Sequence, residues 1–197
     1  MTLMDRACEL ALIRRLRSQD AAAFDEVHAE WNARLFTFLA RLCRRRDLAE
    51  DLLEETWLRV VRHAHRLRDD TRLGPWLYTI ARNLHVSYCR TRLLDEGSAR
   101  MGLWPAAAAP PSPFEATAVN EMERRIETAL AALPGWAREV LLLVGVEGLT
   151  PAEAADVCGV RPDALRQRLS RARALLAAKL AEGEHAAAQG SLKEALP

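Results

Sequence analysis

Apolar residues recur at helical spacing along nearly the whole chain. Phe24, Val27, Trp31, Leu35, Phe38, Leu39 and Leu42 mark one long amphipathic helix. A second begins near Asp47 and turns Leu52, Leu53, Thr56, Trp57, Val60 and Ala64 inward, and a third starts at Gly74-Pro75 and buries Leu77, Ile80 and Leu84. Helical pattern resumes over 117–133, breaks at Pro134-Gly135 and continues over 136–146. Asp47 with Glu50 reads as a capping arrangement for the second helix. No segment sustains period-two alternation between hairpin turns, so the pattern predicts an all-α fold without a sheet.

The pattern lapses once. Residues 95–117 are rich in Ala, Pro, Gly and Ser and read as a flexible linker. Two small helical domains follow, over 1–94 and 118–182, with a tail at 183–197 that looks frayed although Leu192 and Leu196 offer docking residues. Fully extended, roughly 22 residues reach on the order of 70 Å, about two turns of B-DNA. Trp104 stands alone in the linker, with either a domain or a partner's pocket to fill.

The stretch LTPAEAADVCGVRPDALRQRLSRARALL, from Leu149 to Leu176, reads as a helix-turn-helix. Thr150, Pro151 and Glu153 form a capping box with proline at the first helical position. Ala154, Ala155 and Val157 give the first helix a small apolar face, and Gly159 supplies the positive φ of the turn. Pro162 opens a second helix with Leu165, Leu169, Ala172 and Leu176 inward, leaving Arg161, Asp163, Arg166, Gln167, Arg168, Ser170, Arg171 and Arg173 outside. That surface suits a major groove. A solvated helical hairpin would share the glycine turn, but not the one-sided arginines.

Bulk charge conceals this. Net charge is +1, yet Arg161 to Lys179 holds six basic residues against one acid. Half the residues are hydrophobic, which excludes a disordered tail. Cys8, Cys43, Cys89 and Cys158 lie far apart without a C-x-x-C pair, as free thiols of a reducing cytoplasm would. His63 and His65 fall on different faces of a helix and predict no metal site. The longest apolar run, Val140 to Val146, is too short to span a bilayer, and the amino terminus lacks a signal core, so a soluble cytoplasmic protein is expected.

Two further constellations carry chemistry. Glu50, Asp51, Glu54 and Glu55 crowd one helix, with like charges four apart at 50/54 and 51/55. First-turn placement accounts for Glu50 and Asp51 but not for Glu54 and Glu55, and the patch points to a basic protein partner. Arg59 to Asn83 then combines five arginines before Gly74 with a charged and hydroxylic loop, and a helix exposing Arg82 and Asn83 beside Trp76 and Tyr78. Arginines with aromatics and amides suit single-stranded nucleic acid. Trp76 and Leu77 individually read as core.

These runs resemble a known family. DLAEDLLEETWLRV is similar to region two of bacterial sigma factors, close to D-x-x-D-L-x-Q-E-x-F-L-R, and GPWLYTIARNLHVSYCRTR to its continuation. LPGWAREVLLLVGVEGLTPAEAADVCGVRPDALRQRLSRARALL resembles region four. Ordered so, over roughly 20–94 and 118–181 and with no region three between, they resemble the extracytoplasmic-function (ECF) sigma factors of the sigma-70 family. The resemblance implies a non-enzymatic promoter-specificity subunit without cofactor or small-molecule substrate. Its implied partners are core RNA polymerase (β′ clamp helices and β flap), promoter DNA and an anti-sigma factor.

By the same resemblance, Asp47, Asp51, Glu54 and Glu55 fall on the polymerase-binding face. Arg66, Arg68, Asp69, Asp70, Thr71 and Arg72 fall on the loop that captures a flipped −10 base, and Arg82 and Asn83 on the adjoining helix. Arg161, Asp163, Ala164, Arg166, Gln167, Arg168 and Arg171 fall on the helix that reads the −35 element. Two departures from the family pattern stand out: Glu54 replaces the usual Gln, and Arg161 the usual Ser N-cap. A free-standing helix-turn-helix regulator and an RNA-binding adaptor are the rival readings. The first has no use for the acidic helix, the second none for −10/−35 spacing.

Overall fold

The computed structural model describes residues 5–95 and 120–194, among which eight α-helices and no strand occur. Nearly all of the expected linker, with Trp104, and Leu196 at the carboxyl end lie outside the described residues.

The first unit holds α1 (Arg6–Arg17), α2 (Ala21–Cys43), α3 (Arg46–His63) and α4 (Leu73–Asp95), with a single 3-10 turn at Ala64–Arg66. Asp20 caps α2, its carboxylate accepting from the Ala22 amide at 3.0 Å. α3 corrects the capping expectation: its N-cap is Arg45, with no side-chain cap bond. Asp47 is drawn off by the Arg45 guanidinium and Glu50 pairs with Arg46 at 2.9 Å. Asp47 is already the second residue of the helix, so it cannot be the N-cap. The centre of this unit is aromatic: Tyr78, fully buried, meets Phe38 edge-on at 5.1 Å and Trp31 at 6.0 Å between centroids. Gly74 is required there, because a Cβ would stand 2.9 Å from the Trp31 ring.

The second unit holds α5 (Glu121–Ala131), α6 (Gly135–Leu141), a π turn at Leu142–Val146, α7 (Pro151–Cys158) and α8 (Pro162–Glu194). Asn120 caps α5 by accepting from the Glu123 amide at 2.9 Å, so this helix starts four residues later than the pattern suggested. Arg138 serves as a C-terminal staple, donating to the carbonyls of Leu130, Ala131 and Leu133 at 2.8–3.0 Å. α8 continues through Gly183, where a frayed tail was expected.

The two units pack on one another. α4 lies along α7 and α2 meets α6, so the buried residues form one continuous core from Leu12 to Ala172. The small face of Ala154, Ala155 and Val157 therefore has two clients, α8 and α4. Contacts between helices far apart in sequence bring the halves together, which the sequence pattern of separate domains did not anticipate.

Candidate nucleic-acid and partner interfaces

On α3, Asp47, Asp51 and Glu54 stand exposed, and Glu55 is half-buried against Arg59 at 2.9 Å. Along the same face lie Leu58 and Val61, 52% and 54% exposed. Acid thus gives way to apolar surface within three turns, a combination that fits a basic, amphipathic protein segment. The sequence signal for Leu58 and Val61 was their position off the buried stripe of Leu52, Thr56 and Val60.

The loop after the 3-10 turn presents Arg66, Arg68, Asp70 and Arg72 to solvent, with Thr71 half-buried. Thr71 closes it on itself: its hydroxyl accepts from the Arg68 amide and its amide donates to the Arg68 carbonyl, each at 3.0 Å. Asp69 is turned towards α1, where Arg14 and Arg17 take its two oxygens at 2.6 and 3.0 Å. These contacts hold the Asp69 carboxyl below its ordinary range, with the Arg14 hydrogen bond as the largest cause. Asn83 is exposed on α4 one residue beyond Arg82.

In the helix-turn-helix the capping box forms as expected: the Glu153 amide donates to the Thr150 hydroxyl at 3.2 Å, and the Thr150 amide to the Glu153 carboxylate at 2.9 Å. Gly159 takes φ +64° at the end of α7. The Arg161 carbonyl accepts the first helical bond of α8, from the Leu165 amide at 3.0 Å, placing Arg161 at the helix mouth. Arg161, Asp163, Arg166, Gln167 and Arg171 line one exposed surface, Ala164 and Arg168 are half-buried, and Arg166 is ion-paired with Asp163. Leu165, Leu169 and Ala172 anchor the opposite face.

Two acids that the sequence reading passed over join the units. Glu139 is 1% exposed and pairs with Arg82 at 2.8 Å. Glu147 is carried inward by the π turn, whose closing bond runs from the Glu147 amide to the Leu142 carbonyl at 2.9 Å. There it accepts from the Tyr78 hydroxyl and from Arg34 at 3.5 Å. Burial pushes both carboxyl groups above their ordinary range, against the pull of Arg82 and Arg168 on Glu139 and of Tyr78 and Arg34 on Glu147. Arg138 also donates to the Leu42 carbonyl of α2 at 3.1 Å, and Arg41 pairs with Glu127 at 2.5 Å. Arg82, expected on an open nucleic-acid surface, is thus largely enclosed.

Burial raises the thiols of Cys43 and Cys89 to about 11 and that of Cys158 to about 12, so these three stay protonated and serve as packing. His63 and His65 point to solvent, and no group of three or more metal-ligating side chains gathers among the described residues. Nor is any helix of the described residues long and apolar enough to cross a membrane.

Known proteins match this arrangement. The family model for Sigma-70 region 2 matches residues 28–93, and that for Sigma-70 region 4 matches residues 123–176. The probable RNA polymerase sigma factor RfaY of Xanthomonas campestris is 36% identical over 151 residues, 74% of this chain, which spans only 38% of that relative's length. The ECF RNA polymerase sigma factor EcfG of Rhodopseudomonas palustris is 34% identical over 146 residues, covering 74% of this chain and 78% of its own. Among solved structures, the sigma factor RpoE of Bartonella quintana, in complex with the anti-sigma factor NepR, superposes with a TM-score of 0.65 at 26% identity, covering 80% of this chain and 96% of that one.

Proposed function

The chain belongs to the ECF sigma factors of the sigma-70 family, and from that premise we propose the division of labour among its surfaces. It binds core RNA polymerase and directs promoter-specific initiation, while the polymerase supplies the catalysis. The exposed acidic-to-apolar face of α3, with Asp47, Asp51, Glu54 and Glu55 followed by Leu58 and Val61, docks the β′ clamp helices. Region four meets the β flap and lays Arg161 to Arg171 of α8 along the −35 major groove. The loop from Arg66 to Arg72, with Arg82 and Asn83, holds the melted −10 strand. The protein works in the cytoplasm, and an anti-sigma factor covers the same faces when it is silent.

One observation carries the reading: an acidic-to-apolar face on α3 and two exposed arginine-bearing surfaces, the 66–72 loop and the start of α8, lie on separate elements of one small chain. In the closed arrangement Arg82 is engaged by Glu139. The melted strand gains it only when the two units part, so polymerase binding is the step that releases it. A free-standing regulator would leave the α3 face without use. The deciding experiment is titration of the protein onto core polymerase followed by runoff transcription. Association that Glu55→Arg abolishes supports the assignment; association indifferent to Glu55→Arg, or none, refutes it.

A further inference from the structure

The loop from Arg66 to Arg72 is held from outside, by a helix to which no role has been given. Leu12, Ile13 and Leu16 of α1 are 0–3% exposed and dock it on the first unit. Its polar side chains converge on the loop. Glu9, itself buried, accepts from the Leu73 amide at 2.8 Å, and its other oxygen takes Arg6 at 2.7 Å and Arg72 at 3.3 Å. Arg6 forks across the loop, donating to the carbonyls of Thr71 and Asp69, both at 2.8 Å. Arg17 reaches the Leu67 carbonyl at 3.5 Å, and with Arg14 it holds the Asp69 carboxylate.

The anchored backbone groups fall on alternate residues, Leu67, Asp69, Thr71 and Leu73, and the three residues between them, Arg68, Asp70 and Arg72, are all exposed. The bonds from α1 hold the Arg68–Thr71 turn before it, within it and after it, and so fix the backbone that carries the exposed side chains. We propose that α1 is a brace that presets this base-reading loop, and that Glu9 is its positioning residue. The inference rests on the −10 role assigned to the loop above. Leu12, Ile13 and Leu16, with the Arg15–Glu26 pair at 2.8 Å, hold α1 on the first unit independently of the side chains that converge on the loop. A preset loop meets a flipped base without first losing its own conformational freedom, and that sharpens discrimination between bases.

The test uses the full chain with core polymerase, on promoters differing only at the captured −10 base. Glu9→Ala lowers the ratio of transcription between preferred and substituted bases by about tenfold, with polymerase affinity and −35 duplex binding unchanged. Glu9→Gln, which keeps an acceptor for the Leu73 amide, restores part of that ratio. The double variant Arg14→Ala/Arg17→Ala removes the exposed pairs with Asp69 and the Leu67 carbonyl contact, leaves the apolar stripe of α1 in place and lowers the ratio as well, which decides the matter if Glu9→Ala fails to fold. Arg68→Ala serves as the loop control. An unchanged ratio in the α1 variants, with a collapsed ratio in Arg68→Ala, overturns the brace and leaves the loop assignment standing. A uniform loss on all promoters overturns it too, as a merely structural effect. Should Arg68→Ala leave the ratio intact, the loop assignment itself falls and takes the brace with it.

Discussion

Replacing Tyr78 by Phe removes one oxygen from the junction between the two units and little else. The ring keeps its contacts with Phe38 and Trp31, so the first unit retains its aromatic centre. What is lost is the donor to Glu147, which is 6% exposed and would be left with Arg34 at 3.5 Å. A hydrogen bond to a charged group contributes about 1.5–3 kcal/mol. The loss falls on the closed form alone, because Glu147 is hydrated once the units separate. At about 1.4 kcal/mol per factor of ten, the closed-to-open ratio should drop roughly ten- to a hundredfold. Single-molecule energy transfer between dyes at the exposed positions Glu30 and Asp156 reads that ratio directly. A matching gain in the rate of assembly with core polymerase should accompany it. If the transfer distribution of Tyr78→Phe superposes on that of the parent protein at neutral pH, the Tyr78–Glu147 contact does not hold the units together, and the reasoning fails.

Three further outcomes are expected. His85 is buried beside Arg138 and Arg82, which push its pKa down to about 4, burial being the largest cause. A depressed histidine stabilises the fold fully above its unfolded value near 6.5 and loses that contribution as pH falls towards 4. Denaturation at pH 7 and 4.5 should therefore show a difference about 2 kcal/mol smaller in His85→Leu than in the parent, and equal differences would contradict the assignment. Gly159→Ala meets open space but must hold φ +64°, so it should cost about 1–2 kcal/mol by denaturation from backbone strain alone; no measurable cost would show that the turn relaxes. Arg166→Ala should weaken binding to the cognate −35 duplex by about 1–3 kcal/mol if the side chain reads a base edge, whereas a uniform loss across sequences would mark a phosphate contact.

The helices were legible because their stripes are long and strongly periodic, and the turn at Gly159 because a capping box and a glycine leave little choice of conformation. α1 carries such a stripe as well, with Glu9, Leu12, Ile13 and Leu16 at helical spacing, although the sequence reading assigned no helix there. The closing of one unit on the other was not. Its polar contacts join Tyr78 to Glu147 and Arg82 to Glu139, partners 69 and 57 residues apart, and nothing local marks an acid as destined for burial. Asp47 failed as a cap because α3 begins one residue earlier, at Arg46, which leaves Asp47 within the first turn and its carboxylate against the Arg45 guanidinium. Asp69 shares that history, being read as part of an open loop when its charge is answered by a helix more than fifty residues earlier.

Glu139 sits between an arginine assigned to the melted strand and one assigned to the duplex: Arg82 bonds it, and Arg168 contributes its positive charge to the same surroundings. Neutralised in this way, those two cations recruit few counterions while the units stay together. Parting the units exposes the charge of Arg82 to the ionic atmosphere of DNA, while Arg168 stays beside Glu139 within the second unit. The logarithmic slope of promoter affinity against salt should then be steeper for the polymerase-bound factor than for the free chain by up to about one ion from this side chain. A single carboxylate thereby writes the state of the molecule into its response to ionic strength.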